Sequence, residues 1–139
     1  SMLGYKNERY MDYGMASARL DDIVNYVPAR LTGLLLMGAV ALNRMSPKRA
    51  LKAVLRDARE HPSPNSGFPE AAVAGALGVR LGGLNYYQGK AFFRAYMGED
   101  LTPIEPYHIK QTVKLMYSTS FLAVITGVLL SVLIKTLCA

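Results

Sequence analysis

Hydrophobic and polar positions divide this chain unevenly, and the longest apolar run lies at its end. Between Lys114 and Lys135, Leu115 to Ile134 gives twenty residues without a formal charge. As a helix this run is about 30 Å long, the thickness of bilayer hydrocarbon, so it predicts a transmembrane helix over 115–134. The flanking lysines can snorkel outwards, and Tyr117 sits where an amphipathic ring suits the interface. A second run, Leu31 to Asn43, holds thirteen uncharged residues between Arg30 and Arg44. That is too short to span, which leaves a re-entrant, an interfacial and a buried path open. Extending it back through Ile23 to Val27 would make it long enough, but would enclose Arg30 and Pro28, with a kink expected at the proline.

Shorter patterns complete the prediction. Ser17 is a candidate cap for a helix through Val27, after a short helical segment near Asn7 to Tyr13. Ser46-Pro47 reads as a cap and first-turn proline opening an amphipathic helix. Its apolar face is Ala50, Leu51, Val54, Leu55 and Ala58, with Lys48, Arg49, Lys52, Arg56 and Arg59 around it. Spacing alone fits a helix lying on a membrane, apolar side down, as well as a packed helix with a solvated basic face. Pro69-Glu70 starts a small-residue helix through Val79, and Pro106 starts the final helix. Every segment thus reads as helix or loop. The expected fold class is all-α: an integral membrane helical protein, one unit over 1–139, with one clear transmembrane helix, one short apolar helix that is re-entrant in one reading, and a surface amphipathic helix.

Charge then suggests an orientation. Eleven of the sixteen Lys and Arg residues lie between Arg44 and Lys114, against six acids there. The positive-inside tendency places this polar segment, 44–114, in the cytoplasm. The lone Cys138 excludes an internal disulfide, and with only His61 and His108 beside it a structural zinc is not expected. No secretory signal pattern follows the start, and neither repeats nor low-complexity tracts occur. No nucleic-acid partner is expected.

Candidate chemistry gathers in three places. The first holds Asn7-Glu8-Arg9-Tyr10 and Arg19-Leu20-Asp21-Asp22, with Asn25 one turn beyond Asp21. Carboxylates of this kind suit magnesium, which is usually held by one or two acids plus substrate phosphates, although paired acids near a helix start also simply favour its dipole. The second is the loop His61-Pro62-Ser63-Pro64-Asn65-Ser66-Gly67 with Arg56, Asp57 and Glu70, where two prolines stiffen a segment dense in imidazole, hydroxyl and amide groups. His61 could equally cap the preceding helix, and Arg56 could pair with Glu60 one turn on. The third is Arg80-Leu81-Gly82-Gly83-Leu84-Asn85: an arginine can grip an anion there, and the glycines serve ligand approach or close helix packing. No GxxxxGK[ST] occurs, so a P-loop is absent.

The blocks GYKNERY, ASARLDDIVNYVPARL, RDAREHPSPNSGFPEAAVAGALGVRLGG and the following Asn85-Tyr86-Tyr87-Gln88-Gly89 resemble the motifs of the adenosylcobinamide-phosphate synthase family of cobalamin biosynthesis. They cover most of residues 4 to 89. The resemblance implies an integral protein of the inner, cytoplasmic membrane with several spans, of which this chain corresponds to a C-terminal part. It leaves either an N-terminal portion or a homo-oligomer to complete the site. It also implies ATP-dependent ligation of adenosylcobyric acid, the corrinoid substrate, with aminopropanol or its O-phosphate, using Mg2+. The roles it suggests are Asp21 and Asp22 on magnesium, Arg19, Arg56 and Arg80 on phosphates, and His61 or Glu70 on the proton. Ser63, Asn65, Gly82 and Gly83 would contact substrate. Membrane lipid is the other expected partner, and a non-catalytic subunit that docks corrinoid intermediates is the alternative from a different class.

Overall fold

A computed structural model describes residues 11–87 and 89–138. The whole GYKNERY block, with the Asn7 to Tyr10 group inside it, lies outside them. Five α-helices and one β-hairpin follow in order: α1 Met11–Val24, α2 Tyr26–Leu42, α3 Pro47–Asp57, a 3-10 turn Ala58–Glu60, α4 Gly67–Leu77, β1 Arg80–Tyr87, β2 Lys90–Gly98 and α5 Pro106–Leu137. The chain is mostly helical, but the hairpin corrects the all-α expectation.

Local chemistry explains most boundaries. Ser46 caps α3 by accepting the Arg49 N–H at 3.3 Å, and Pro47 occupies the first turn, where its missing N–H costs nothing. Helix α4 ends on Gly78, whose φ of 70° is the left-handed conformation that glycine adopts without penalty. Helix α5 opens with a capping box in which the Glu105 N–H donates to His108 Nδ1 at 3.0 Å. The long helix expected from Ser17 starts further upstream, and its break falls at Asn25, where α1 and α2 meet at a 46° bend. Pro28 lies in the first turn of α2, where a proline is tolerated, so no kink arises at it.

The core sits where α2, α3, α4 and the start of α5 meet. Leu36, Ala39 and Val40 of α2, Ala50 of α3, Ala72 and Ala76 of α4 and Leu115 of α5 form one buried cluster. A second cluster, Ala53, Ala58, Ala71 and Met97, joins α3 and α4 to the hairpin. Alanines and Gly75 bring α3 and α4 close together: a Cβ on Gly75 would lie 2.5 Å from the Arg49 carbonyl oxygen and 2.7 Å from Ala53 Cβ. The buried stripe of α3 is therefore Ala50, Ala53 and Asp57, while Leu51 and Leu55 are exposed.

The hairpin pairs Arg80 with Gly98, Leu81 with Met97, and Tyr87 with Lys90. Its register shifts between Leu81 and Gly83, so that Ala95 and Tyr96 together fall opposite Gly82. A Cβ at Gly82, which has φ 108°, would lie 2.3 Å from the Ala95 carbonyl oxygen. The glycine is thus required by strand pairing at this bulge, a use that neither of the expected readings contained.

Helix α5 leaves the core after Leu122. Phe121, Val124, Val128, Leu129 and Leu133 are all exposed, and the helix is long and apolar enough to cross a membrane. The α1–α2 pair passes the same test only if taken together as one broken span. The threonines of α5 donate back to the carbonyls four residues earlier, Thr126 to Leu122 at 2.8 Å and Thr136 to Val132 at 2.9 Å. Their hydroxyls are therefore satisfied without water.

Candidate functional site

The stiff loop between the 3-10 turn and α4 delivers His61 to the foot of the hairpin, opposite Glu70 in the first turn of α4. His61 Nε2 stands 3.4 Å from Glu70 Oε2. On the other side of the ring, Nδ1 lies 3.0 Å from the Ser63 N–H and 3.1 Å from the Ser63 carbonyl oxygen. A backbone N–H can only donate, so the neutral ring accepts it on Nδ1 and carries its proton on Nε2, towards Glu70. An imidazolium can instead donate from Nδ1 to the Ser63 carbonyl while keeping Glu70 as its counter-ion. One residue thus serves both charge states.

His61 and Glu70 line a cavity of about 220 Å³ together with Glu60, Gly82, Asn85 and Arg94. Three residues expected at a site, His61, Glu70 and Gly82, therefore come together. Arg94 and Asn85 complete the wall; Asn85 closes the third candidate group, whereas Arg94 belongs to none of the three. Adjacent aromatic pairs on either side of the Gly89 turn, Tyr86-Tyr87 before it and Phe92-Phe93 after it, were the hairpin signal that could have placed Arg94. Glu70 and Leu81 also border a larger apolar cavity of about 720 Å³, which runs between α4 and the first two turns of α5.

Other expected site residues are occupied in holding the fold. Arg56 donates through Nε and Nη2 to the buried Asp57 carboxylate, through Nη2 to the Gly98 carbonyl at 2.8 Å, and through Nη1 to Glu99 at 3.1 Å. The Gly98 N–H closes the network on Asp57 Oδ2 at 2.8 Å. The Arg56 guanidinium is the main reason that the Asp57 carboxyl titrates below the usual carboxylate range, and Lys52, at 2.7 Å, does the same for Glu99. Arg56 is raised in turn by Asp57. Its partners are Asp57 and Glu99; among the described residues no ion pair joins it to Glu60.

Asn65 is buried and works as a strut: it accepts from Arg30 Nη1 at 2.7 Å and donates to the Asp22 carbonyl at 2.9 Å. The Ser63 hydroxyl accepts the N–H groups of Asn65 and Ser66, each at 3.4 Å, which fixes the loop's turn. Arg80 pairs with Asp100 at 2.9 Å and lies over the Tyr96 ring. Gly83 packs under the same ring, where a Cβ would meet Tyr96 Cε1 at 2.9 Å. Arg19 and Asp21 are exposed on α1, and Asp22 is half-buried. Among the described residues no three His, Cys, Asp or Glu side chains converge as a metal site would require.

The molecule is a helical protein with a membrane-length C-terminal helix and a polar cavity built on an acid–imidazole pair. Comparison then places it: a family model described as CobD/Cbib protein matches residues 1–116, and the chain belongs to that family. It is 49% identical over 134 residues to the cobalamin biosynthesis protein CobD of Geobacter metallireducens, covering 96% of this chain and 42% of that protein. It is 43% identical over 137 residues to the protein of the same name from Clostridium perfringens, covering 99% and 44%. With the cobalamin biosynthesis protein CbiB of Salmonella typhimurium the identity is 48% over 123 residues, covering 88% and 39%. The chain thus spans about two-fifths of the length of these curated relatives. No solved structure matches it.

Proposed function

We propose that this chain acts in cobalamin biosynthesis as part of a ligase that joins adenosylcobyric acid to aminopropanol phosphate at the expense of ATP. The observation that carries this reading is the His61–Glu70 pair at the wall of a cavity that also holds Arg94. A carboxylate is a poor acyl donor, so ATP first converts it to an acyl phosphate, releasing ADP. The amine then attacks the carbonyl carbon and phosphate departs. Once nitrogen is bonded to that carbon its N–H becomes strongly acidic, and a positioned base removes the proton. Glu70 takes that role, with His61 Nε2–H orienting its carboxylate and sharing the proton. Arg94 supplies the cation nearest the departing phosphate.

Magnesium enters this reading on the nucleotide. Asp21 and Asp22 are consecutive on α1, so their side chains leave the helix about 100° apart and do not readily share one ion. One carboxylate with the phosphates of ATP is the arrangement in which magnesium is commonly held. Asp22 is the better placed of the two, because its carbonyl is already fastened to Asn65 of the loop. Arg19 and Arg80 remain candidates for phosphates that approach from outside the cavity. The site sits in the inner membrane of the cell, in a multi-pass protein, with the basic 44–114 segment in the cytoplasm.

Membranes containing the protein, given ATP, magnesium, adenosylcobyric acid and aminopropanol phosphate, are expected to form adenosylcobinamide phosphate, read by chromatography of the corrinoids. His61→Ala and Glu70→Gln should each slow formation by about 100-fold. Unchanged rates in both variants remove the assigned roles, and corrinoid binding without any product favours a docking subunit.

A further inference from the structure

His61 is shared between two cavities, and the second has a different character. It measures about 360 Å³ and is lined by Tyr26, Arg30, Arg59, His61, Pro64 and Phe68 among others, with no acidic residue in its wall. The ligation cavity next to it contains Glu60 and Glu70. The second recess thus carries two arginines without an acid, whereas the first sets Arg94 against two carboxylates.

Arg30 is the fixed element of this second recess. Its guanidinium lies 3.4 Å from the Tyr26 ring centroid and 4.5 Å from that of Phe68. Both of its hydrogen bonds, to the Tyr26 carbonyl at 3.0 Å and to Asn65 Oδ1 at 2.7 Å, leave from Nη1. Among the described residues no bond engages Nη2 or Nε, and no acid pairs with Arg30 or Arg59. A guanidinium held between aromatic faces keeps its plane and its unused donors in a set direction. Buried or half-buried cations are normally neutralised by a partner. Among the described residues Arg30 has none, although Asn65, tied to Asp22 and to the Ser63 hydroxyl, holds it rigidly in place.

We infer that this recess is an anion seat for a phosphate group, gripped by Arg30 and Arg59 beside His61. Two guanidinium groups match a phosphate, which carries up to two charges and offers several acceptor oxygens; a carboxylate would leave one cation bare. The phosphate has two possible sources, a soluble phosphate ester and a lipid headgroup, since Tyr26 in its wall, and Val27 and Leu31 next to Tyr26 and Arg30 along α2, expose apolar surface. The seat is a separate cavity, so it stands whether or not the ligation reading holds.

The test is a binding titration on the protein in a non-ionic detergent, with inorganic phosphate, O-phosphoethanolamine and short-chain phosphatidic acid as probes. At least one probe is expected to saturate a single site. Arg59→Ala should weaken it about tenfold, the scale of one charged hydrogen bond. Arg30→Lys, which keeps the charge but loses the planar fork, should do at least as much. Phosphatidic acid binding tenfold or more tighter than the soluble esters identifies a lipid source, and equal or weaker binding identifies a soluble one; dependence on Arg59 supports the seat in both cases. Arg30 also steadies the loop, so the decisive variants are Arg59→Ala and Arg59→Glu, since Arg59 is exposed and makes no bond among the described residues. Unaltered affinity in both, or no saturable binding of any of the three probes, overturns the proposal.

Discussion

Asp57 shows how much one buried carboxylate can organise. It binds the Arg56 guanidinium and the Gly98 N–H at once, and so fastens the end of α3 to the end of β2. Replacing it with alanine leaves that N–H and the guanidinium without their acceptor, at a cost of about 3 kcal/mol. Its folded pKa is depressed, so its contribution is complete above the ordinary carboxylate range and is lost as pH falls through the lowered folded value. Glu99, lowered mainly by Lys52, adds a change of the same sign. Thermal melts from pH 7 down to pH 2.5 should therefore show stability falling on the acid side. In Asp57→Asn that fall should be shallower, from a lower starting stability at pH 7.

At the scale of elements, the contact between α3 and α4 rests on a missing side chain. Gly75→Ala places a methyl group against the Arg49 carbonyl oxygen and Ala53, so the helices must separate. The expected loss is about 1 to 3 kcal/mol, read as a lowered melting midpoint. The same contact explains why only part of the apolar face expected of α3 is packed, Ala50, Val54 and Ala58 inwards and Leu51 and Leu55 outwards. Periodicity gave weight to Leu51 and Leu55, the larger residues, whereas the partner helix comes so close that only Ala50 and Ala53 fit beneath it. Caps and first-turn prolines were legible because their chemistry is local: Ser46-Pro47 and Pro106 start their helices where expected. The hairpin was hidden because Gly82-Gly83 reads as a break and no β-branched residue marks its strands. Arg94 went unrecognised with it. His61 and Glu70 could be found, since a proline-stiffened polar loop is a local signal, but the use of Arg56 and Asn65 as fasteners depends on partners more than forty and thirty residues away respectively.

For the whole molecule the decisive element is α5, packed at its start and bare beyond Leu122. If the basic segment faces the cytoplasm and α5 crosses, the single cysteine, Cys138, emerges on the opposite side. A membrane-impermeant maleimide should label it in cells whose outer barrier has been opened but whose inner membrane is intact. Labelling only after the inner membrane is broken reverses the proposed orientation. The 32 residues of α5 also form one unbroken helix, about 48 Å long against a hydrocarbon layer of about 30 Å. With Leu115 to Ile134 in lipid, the stretch from Pro106 to Lys114 projects about 13 Å above the acyl chains. The apolar cavity against Ile109 and Val113 is thereby pinned at headgroup altitude, within reach of a bulky amphiphile moving sideways out of the leaflet.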